Sequence, residues 1–125
     1  FYRAPWIAVA SDGGIGMRHP RAAGSFPRVL ARFVRERHWL PLEEAIRKMT
    51  SLPAEILGLT DRGRIQPGLR ADLVLFDPAA ILDQSTFQKP ATLARGVIGV
   101  WVDGVRVWDD ARVSGSLPGK VKTGR

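Results

Sequence analysis

The stretch WIAVASDGG, residues 6–14, decides how the rest of the chain is read. Trp6 to Ala10 is continuously apolar, which fits a strand covered on both faces, as in a parallel sheet, better than an alternating half-exposed strand. The run stops at Ser11 and Asp12, and a glycine-rich loop follows. No similar run appears for about sixty residues. A lone strand of the parallel type has nothing to pair with, and the chain opens on Phe1 rather than Met. Both features predict a piece of something longer.

Outward from that stretch, Ser11 to Ser25 is expected to be a loop, with Gly13, Gly14, Gly16, Pro20 and Gly24 along it. Loops of this length in compact domains are uncommon and tend to be functional or disordered. Phe26, Val29, Leu30, Phe33 and Val34 then recur at helical spacing, which predicts an amphipathic helix over 26–38. Its other face carries Arg28, Arg32, Arg35 and Arg37. A second helix is expected from Pro41 to about Thr50, with Glu43 and Glu44 at its start and Arg47 and Lys48 at its end. Ser51 can cap a third, short helix that Gly58 closes.

After Leu59 the period changes. Residues 64–68 read as a short strand and turn, and 71–77 as a mostly buried strand halted by Pro78. Residues 79–95 read as a surface connection. Val97–Val102, then Asp103-Gly104, then Val105–Trp108 give a strong hairpin signal. Tight pairing would set Val102 against Val105 and Val100 against Val107, leaving Trp101, Arg106 and Trp108 on the other face. The tail from Ala111 is expected to be extended. The chain thus divides near Thr60 to Gly63 into a strand, loop and helices (1–60) and a small all-β unit (61–125).

Composition sets the outer bounds. The chain has 125 residues, 45% hydrophobic and 25% charged, within the ordinary range of one soluble domain. Its apolar runs are far shorter than the roughly 20 residues of a membrane span. No secretory leader is read at its start. There is no cysteine, which removes disulfides and thiolate ligands and is compatible with a cytoplasmic location. The net charge of +7 is uneven: residues 1–37 carry seven Arg against Asp12 and Glu36, while 38–110 is slightly acidic. A basic first segment favours an anionic partner, either nucleic acid or a small carboxylate or phosphate.

The succession SDG, HPR, FPRVL, PLEEAIRKMTSLPAEILGL, DRGRIQPGLRADLVLFDP and VWVDGVRV resembles the C-terminal portion of the D-aminoacylases, the N-acyl-D-amino-acid deacylases of the amidohydrolase superfamily. The GRIQPGLRADLVLFDP element with its hairpin is common across the superfamily. The spacing of SDG, HPR and FPR narrows the likeness to the deacylases. The resemblance implies an α/β plus β architecture: the last strand (5–12) and following helices (26–59) of a metal-dependent (β/α)8 barrel, joined from about residue 62 to part of a small β-sandwich. It also implies zinc, held mainly by a cysteine and histidines on earlier strands outside this chain with Asp12 at most a weak extra ligand, and an N-acyl amino acid substrate.

Three residues stand out as candidates. Catalytic groups of barrel enzymes sit at the C-terminal ends of strands, where Asp12 falls. One carboxylate can activate water as a base and then protonate the leaving amine as an acid. The resemblance gives Asp12 this catalytic role; the plainer reading is an Asx-turn onto Gly13 and Gly14. Arg21 of the HPR motif can hold a substrate carboxylate by two parallel hydrogen bonds, and the resemblance assigns it that task; otherwise it is a solvated loop arginine. His19 could orient Arg21, touch substrate, or cap the loop. Arg28 could assist an anion, or belong to the exposed basic face. No metal ligand is assigned within the chain. Glu43 and Glu44 read as helix-stabilising, and His38 as structural. Two other functions compete: another amidohydrolase of the dihydroorotase or hydantoinase kind, and a basic nucleic-acid-binding module, which no zinc finger, stacking motif or helix-turn-helix supports. The expected partners are a small substrate and the upstream barrel, with no nucleic acid and no membrane.

Overall fold

A computed structural model of the chain describes residues 2–14, 16–110 and 112–121. The element order among these residues is four helical segments, the first two continuous, followed by four strands. Helix α1 (Arg21–Arg28) continues without a break into wider π-helical turns over Val29–Glu36. Pro27 lies inside α1, and the widening begins two residues later, where the proline's missing N–H has already taken one rung from the ladder. Helix α2 spans Leu42–Met49 and α3 spans Ser51–Ile56.

The end of α3 is a Schellman motif. The Leu59 N–H reaches the Ala54 carbonyl at 2.8 Å and the Gly58 N–H reaches that of Glu55 at 3.1 Å. Thr50 rather than Ser51 holds the N-cap position of α3.

The loop expected over 11–25 is shorter than its glycines suggested. Helix α1 already begins at Arg21, because Pro20 is accepted at a helix start and Gly24 is buried inside the first turns. Residues 6–11 are not a strand: among the described residues they pair with no other strand, and the Val9 N–H donates to the Lys48 carbonyl at 2.9 Å. A strand exists by its ladder, and the described residues supply no neighbour for one.

Strands β1 (Leu73–Phe76), β2 (Val97–Val102), β3 (Val105–Asp109) and β4 (Arg112–Val113) form one antiparallel sheet in sequential order. The hairpin turn has Asp103 at φ 50° and Gly104 at φ 81°, the paired positive values of a type I′ turn, which glycine adopts without strain. Val102 faces Val105 as expected. Val100, however, faces Trp108 rather than Val107, because the register shifts between Val100 and Trp101. Such a bulge puts one extra residue in one strand and sharpens its twist. Arg106 therefore stays over Trp101, its guanidinium carbon 5.0 Å from the ring centroid, while the Trp108 indole N–H turns to the Val97 carbonyl at 3.3 Å.

Two further expectations are corrected. Residues 64–68 form bends and a turn, not a strand; Leu69 N–H closes it on Gln66 O at 3.2 Å. The strand over 71–77 shortens to β1, and it is not mostly buried, since Val74 and Leu75 stand more than half exposed. Successive strand residues point to opposite faces, so Val74 and Leu75 leave β1 open on both sides.

The core joins the helices to the β segment. Val29, Leu30, Leu40, Ala45 and Ile81 are buried together, with Phe33, Val34, Leu42, Ile46, Met49, Phe76 and Val97 packed against them. Burying each large aliphatic chain stabilises the fold by about 1.5–3 kcal/mol. The basic face of the long helix is not simply solvated. Arg35 donates to the Pro78 and Ile81 carbonyls at 3.0 and 2.8 Å, and Arg37 lies over Trp39. A latch of charges ties the 61–72 segment to the hairpin: Arg70 bridges Asp61 and Asp103, both at 2.8 Å. Among the described residues no helix is long and apolar enough to cross a membrane.

Candidate functional site

The site is built where the chain turns into α1. Ser11, not Asp12, makes the side-chain turn: its hydroxyl oxygen accepts the Gly13 N–H at 3.1 Å. Asp12 takes a left-handed backbone, φ 49°, which aspartate tolerates better than most residues. Its carboxylate is left to point outward and meets Arg21. The Arg21 Nη2 lies 2.7 Å from Asp12 Oδ2, and its Nε donates to the Asp12 carbonyl at 3.2 Å. The Asp12 side chain is 82% exposed and that of Arg21 43%. An ion pair this open contributes about 0–1 kcal/mol and does not hold the fold together. Its value lies in bringing a carboxylate and a forked cation to one spot.

His19 serves the same turn. Its Nδ1 accepts the Arg21 N–H at 3.1 Å, meeting one of the helix's unpaired first donors. His19, Arg21 and Asp12 are thus brought together by backbone and side-chain contacts. Arg28 is not: it is engaged by Asp83, with its Nε and Nη2 at 2.8 and 2.7 Å from Asp83 Oδ2. Beside His19 and Arg21 lies a cavity of about 360 Å³, also lined by Ser25, Phe87 and Gln88.

Below the site, Lys48 is 1% exposed, and its ammonium donates to the carbonyls of Ala4 and Ile7 and lies 3.5 Å from Glu44 Oε1. Glu44 also takes two hydrogen bonds from Arg47, at 2.7 and 2.9 Å. The Arg47 guanidinium holds the Glu44 carboxyl down to about 2 from an ordinary 4.5. Glu44 is therefore a helix-stabilising residue, as its place at the start of α2 suggests. His38, also at positive φ, donates its N–H to the Val34 carbonyl at 3.2 Å, a structural position.

Sequence reading missed Asp83, Ser85 and Phe87. They fall in the 79–95 stretch, which lacks periodicity, and touch residues 55 to 68 positions earlier in the chain. No local pattern could have marked them. Among the described residues no group of three His, Asp or Glu side chains could hold a metal ion.

The chain matches the amidohydrolase family over residues 3–108. It is 50% identical to an N-acyl-D-aspartate deacylase of Alcaligenes xylosoxydans xylosoxydans, over 94% of this chain and 24% of that protein. Among solved structures it is similar to a D-aminoacylase, at 48% identity and a TM-score of 0.76, covering 78% of this chain and 21% of that one. It is also similar to the N-acyl-D-glutamate deacylase of Bordetella bronchiseptica, solved with zinc and a phosphonate inhibitor that mimics the tetrahedral intermediate. There the identity is 44% and the TM-score 0.81, over 86% of this chain and 23% of that one. The chain spans about a quarter of the length of the relatives it matches. With a family match running from Arg3 to Trp108 and relatives at close to half identity, this chain belongs to the amidohydrolase family, beside the N-acyl-D-amino-acid deacylases.

Proposed function

We propose that these residues are part of a zinc-dependent N-acyl-D-amino-acid deacylase, which hydrolyses the substrate amide to a carboxylate and a D-amino acid. The observation that carries the reading is the 2.7 Å meeting of Asp12 and Arg21 in a chain half identical to an N-acyl-D-aspartate deacylase. Hydrolysis needs a proton taken from water and a proton given to the leaving nitrogen. Asp12 performs both in turn, first as base and then as acid. Arg21 binds the α-carboxylate that every N-acyl amino acid carries, through two parallel hydrogen bonds. An incoming carboxylate competes with Asp12 for the same guanidinium, so substrate binding frees the catalytic carboxylate. His19 keeps the Arg21 backbone in place and lies close enough to the cavity to border the substrate.

Among the described residues no group of three candidate ligands gathers, so the zinc of the whole enzyme would take its ligands mainly elsewhere in the protein, with Asp12 at most a weak extra one. Zinc supplies a polarised carbonyl and an acidified water when bound. Residues 1–60 are assigned to the last strand and helices of the barrel, and 61–125 to a share of a sandwich. The unpaired apolar stretch at 6–10 and the exposure of Val74 and Leu75 on β1 support that division. A cytoplasmic enzyme completes the proposal. The complete zinc-loaded protein is expected to release free amino acid from N-acetyl-D-amino acids and to leave the L-enantiomers largely untouched. Equal rates on both, or no release from either, would remove the reading.

A further inference from the structure

The connection between β1 and β2 is built as an arm that reaches the candidate site. It leaves the sheet at a neck where Leu82 and Arg95 exchange hydrogen bonds, Leu82 N–H to Arg95 O at 3.1 Å and the reverse at 3.0 Å. Within it, Thr86 and Lys89 close a small turn through reciprocal bonds of 3.2 Å. The arm then lies along one stripe of α1. Pro20, Gly24 and Arg28 recur every fourth residue and so share a helix face. Each is met by the arm. The Ser85 hydroxyl, buried, donates to the Pro20 carbonyl at 2.8 Å. Ser85 Oγ also occupies the space that a side chain on Gly24 would fill. Asp83 takes Arg28.

Within the arm, Phe87 stands edge-on to His19 with ring centroids 5.0 Å apart at 88°. Phe87 is 71% exposed, so burial alone does not explain its place. It contacts the ring whose Nδ1 holds the Arg21 amide.

We propose that the 83–87 part of the arm positions the carboxylate-binding arginine: Phe87 fixes the His19 ring, His19 fixes the Arg21 backbone, and Arg21 is thereby aimed at the substrate. Phe87 is a positioning residue and touches no reacting atom. The aim of Arg21 is what this chain of contacts sets, so its loss acts on substrate binding rather than on proton transfer. The inference rests on the deacylase reading for its substrate, but the contacts can be followed without turnover.

The test compares Phe87→Ala, Phe87→Leu and Phe87→Tyr in the complete zinc-loaded protein, with an N-acetyl-D-amino acid as substrate and amide hydrogen exchange at Arg21 as a second readout. Phe87→Ala is expected to raise KM about three- to tenfold, the scale of one aromatic edge contact, with kcat changed less than twofold. Arg21 amide exchange should quicken, and Phe87→Tyr should restore both values. Phe87→Leu keeps the bulk without the ring and serves if the alanine variant does not fold; it should behave as the alanine variant does. An unchanged KM with unchanged exchange, or a loss confined to kcat, would overturn the proposal. If the wild-type protein turns over no N-acyl-D-amino acid, the deacylase reading fails by itself. Arg21 exchange then decides the positioning role: faster in Phe87→Ala sustains it, and unchanged overturns it.

Discussion

Asp12 and Arg21 meet at 2.7 Å in a pair too exposed to matter for stability. Their removal should therefore separate function from folding. Arg21→Ala in the complete protein is expected to raise KM about tenfold or more, since hydrogen bonds to a charged partner are worth about 1.5–3 kcal/mol. The melting temperature should move by no more than the weak pair allows, about 1 kcal/mol of stability. Steady-state kinetics and a thermal melt on the same preparation check both halves. Sequence reading placed Asp12 and Arg21 by motif, and their meeting across nine positions is what the structure adds. The choice between a turn-making and a free carboxylate was not legible, because Ser11 and Asp12 are both able to make that turn and only the geometry says which does.

At the scale of elements, periodicity was read well and pairing less so. Helices over 42–49 and the Asp103-Gly104 hairpin follow directly from spacing and turn chemistry. The bulge at Val100/Trp101 does not, since a residue pattern of period two cannot announce a single extra residue. Likewise, the apolar run at 6–10 has strand composition and no strand, because composition does not supply a neighbour. Two measurements belong here. Gly24→Ala forces a methyl group against the Ser85 hydroxyl and should destabilise the protein by about 1–3 kcal/mol, read as a lower denaturant midpoint. Glu44 gives a pH signature with a definite sign. Its folded pKa, about 2, lies below its ordinary 4.5, so its contribution is complete above about 4.5 and is lost as pH falls through 2. Glu44→Gln should flatten the acid limb of stability across that window and leave the slope above pH 6 unchanged, as followed by denaturant melts at several pH values.

Across the whole molecule, the helices and the β segment share one core through Phe76, Ile81 and Val97, so the boundary near residue 60 is a change of structure rather than a gap in packing. The arm at 83–94 crosses that boundary in the other direction and meets α1. None of this long-range closure could be read from residues 55 or more positions apart, whereas the family likeness rested on motifs that are local and therefore legible. The account makes Asp12 the proton carrier and Arg21 the anchor of one reaction. Its most direct test is the turnover of N-acetyl-D-amino acids by the complete zinc-loaded protein carrying Asp12→Asn, which keeps the shape and removes the proton chemistry. The account predicts a fall in kcat of about a hundredfold to ten-thousandfold with the protein still folded and still binding the substrate carboxylate. A variant that turns over within a few-fold of wild type would contradict it.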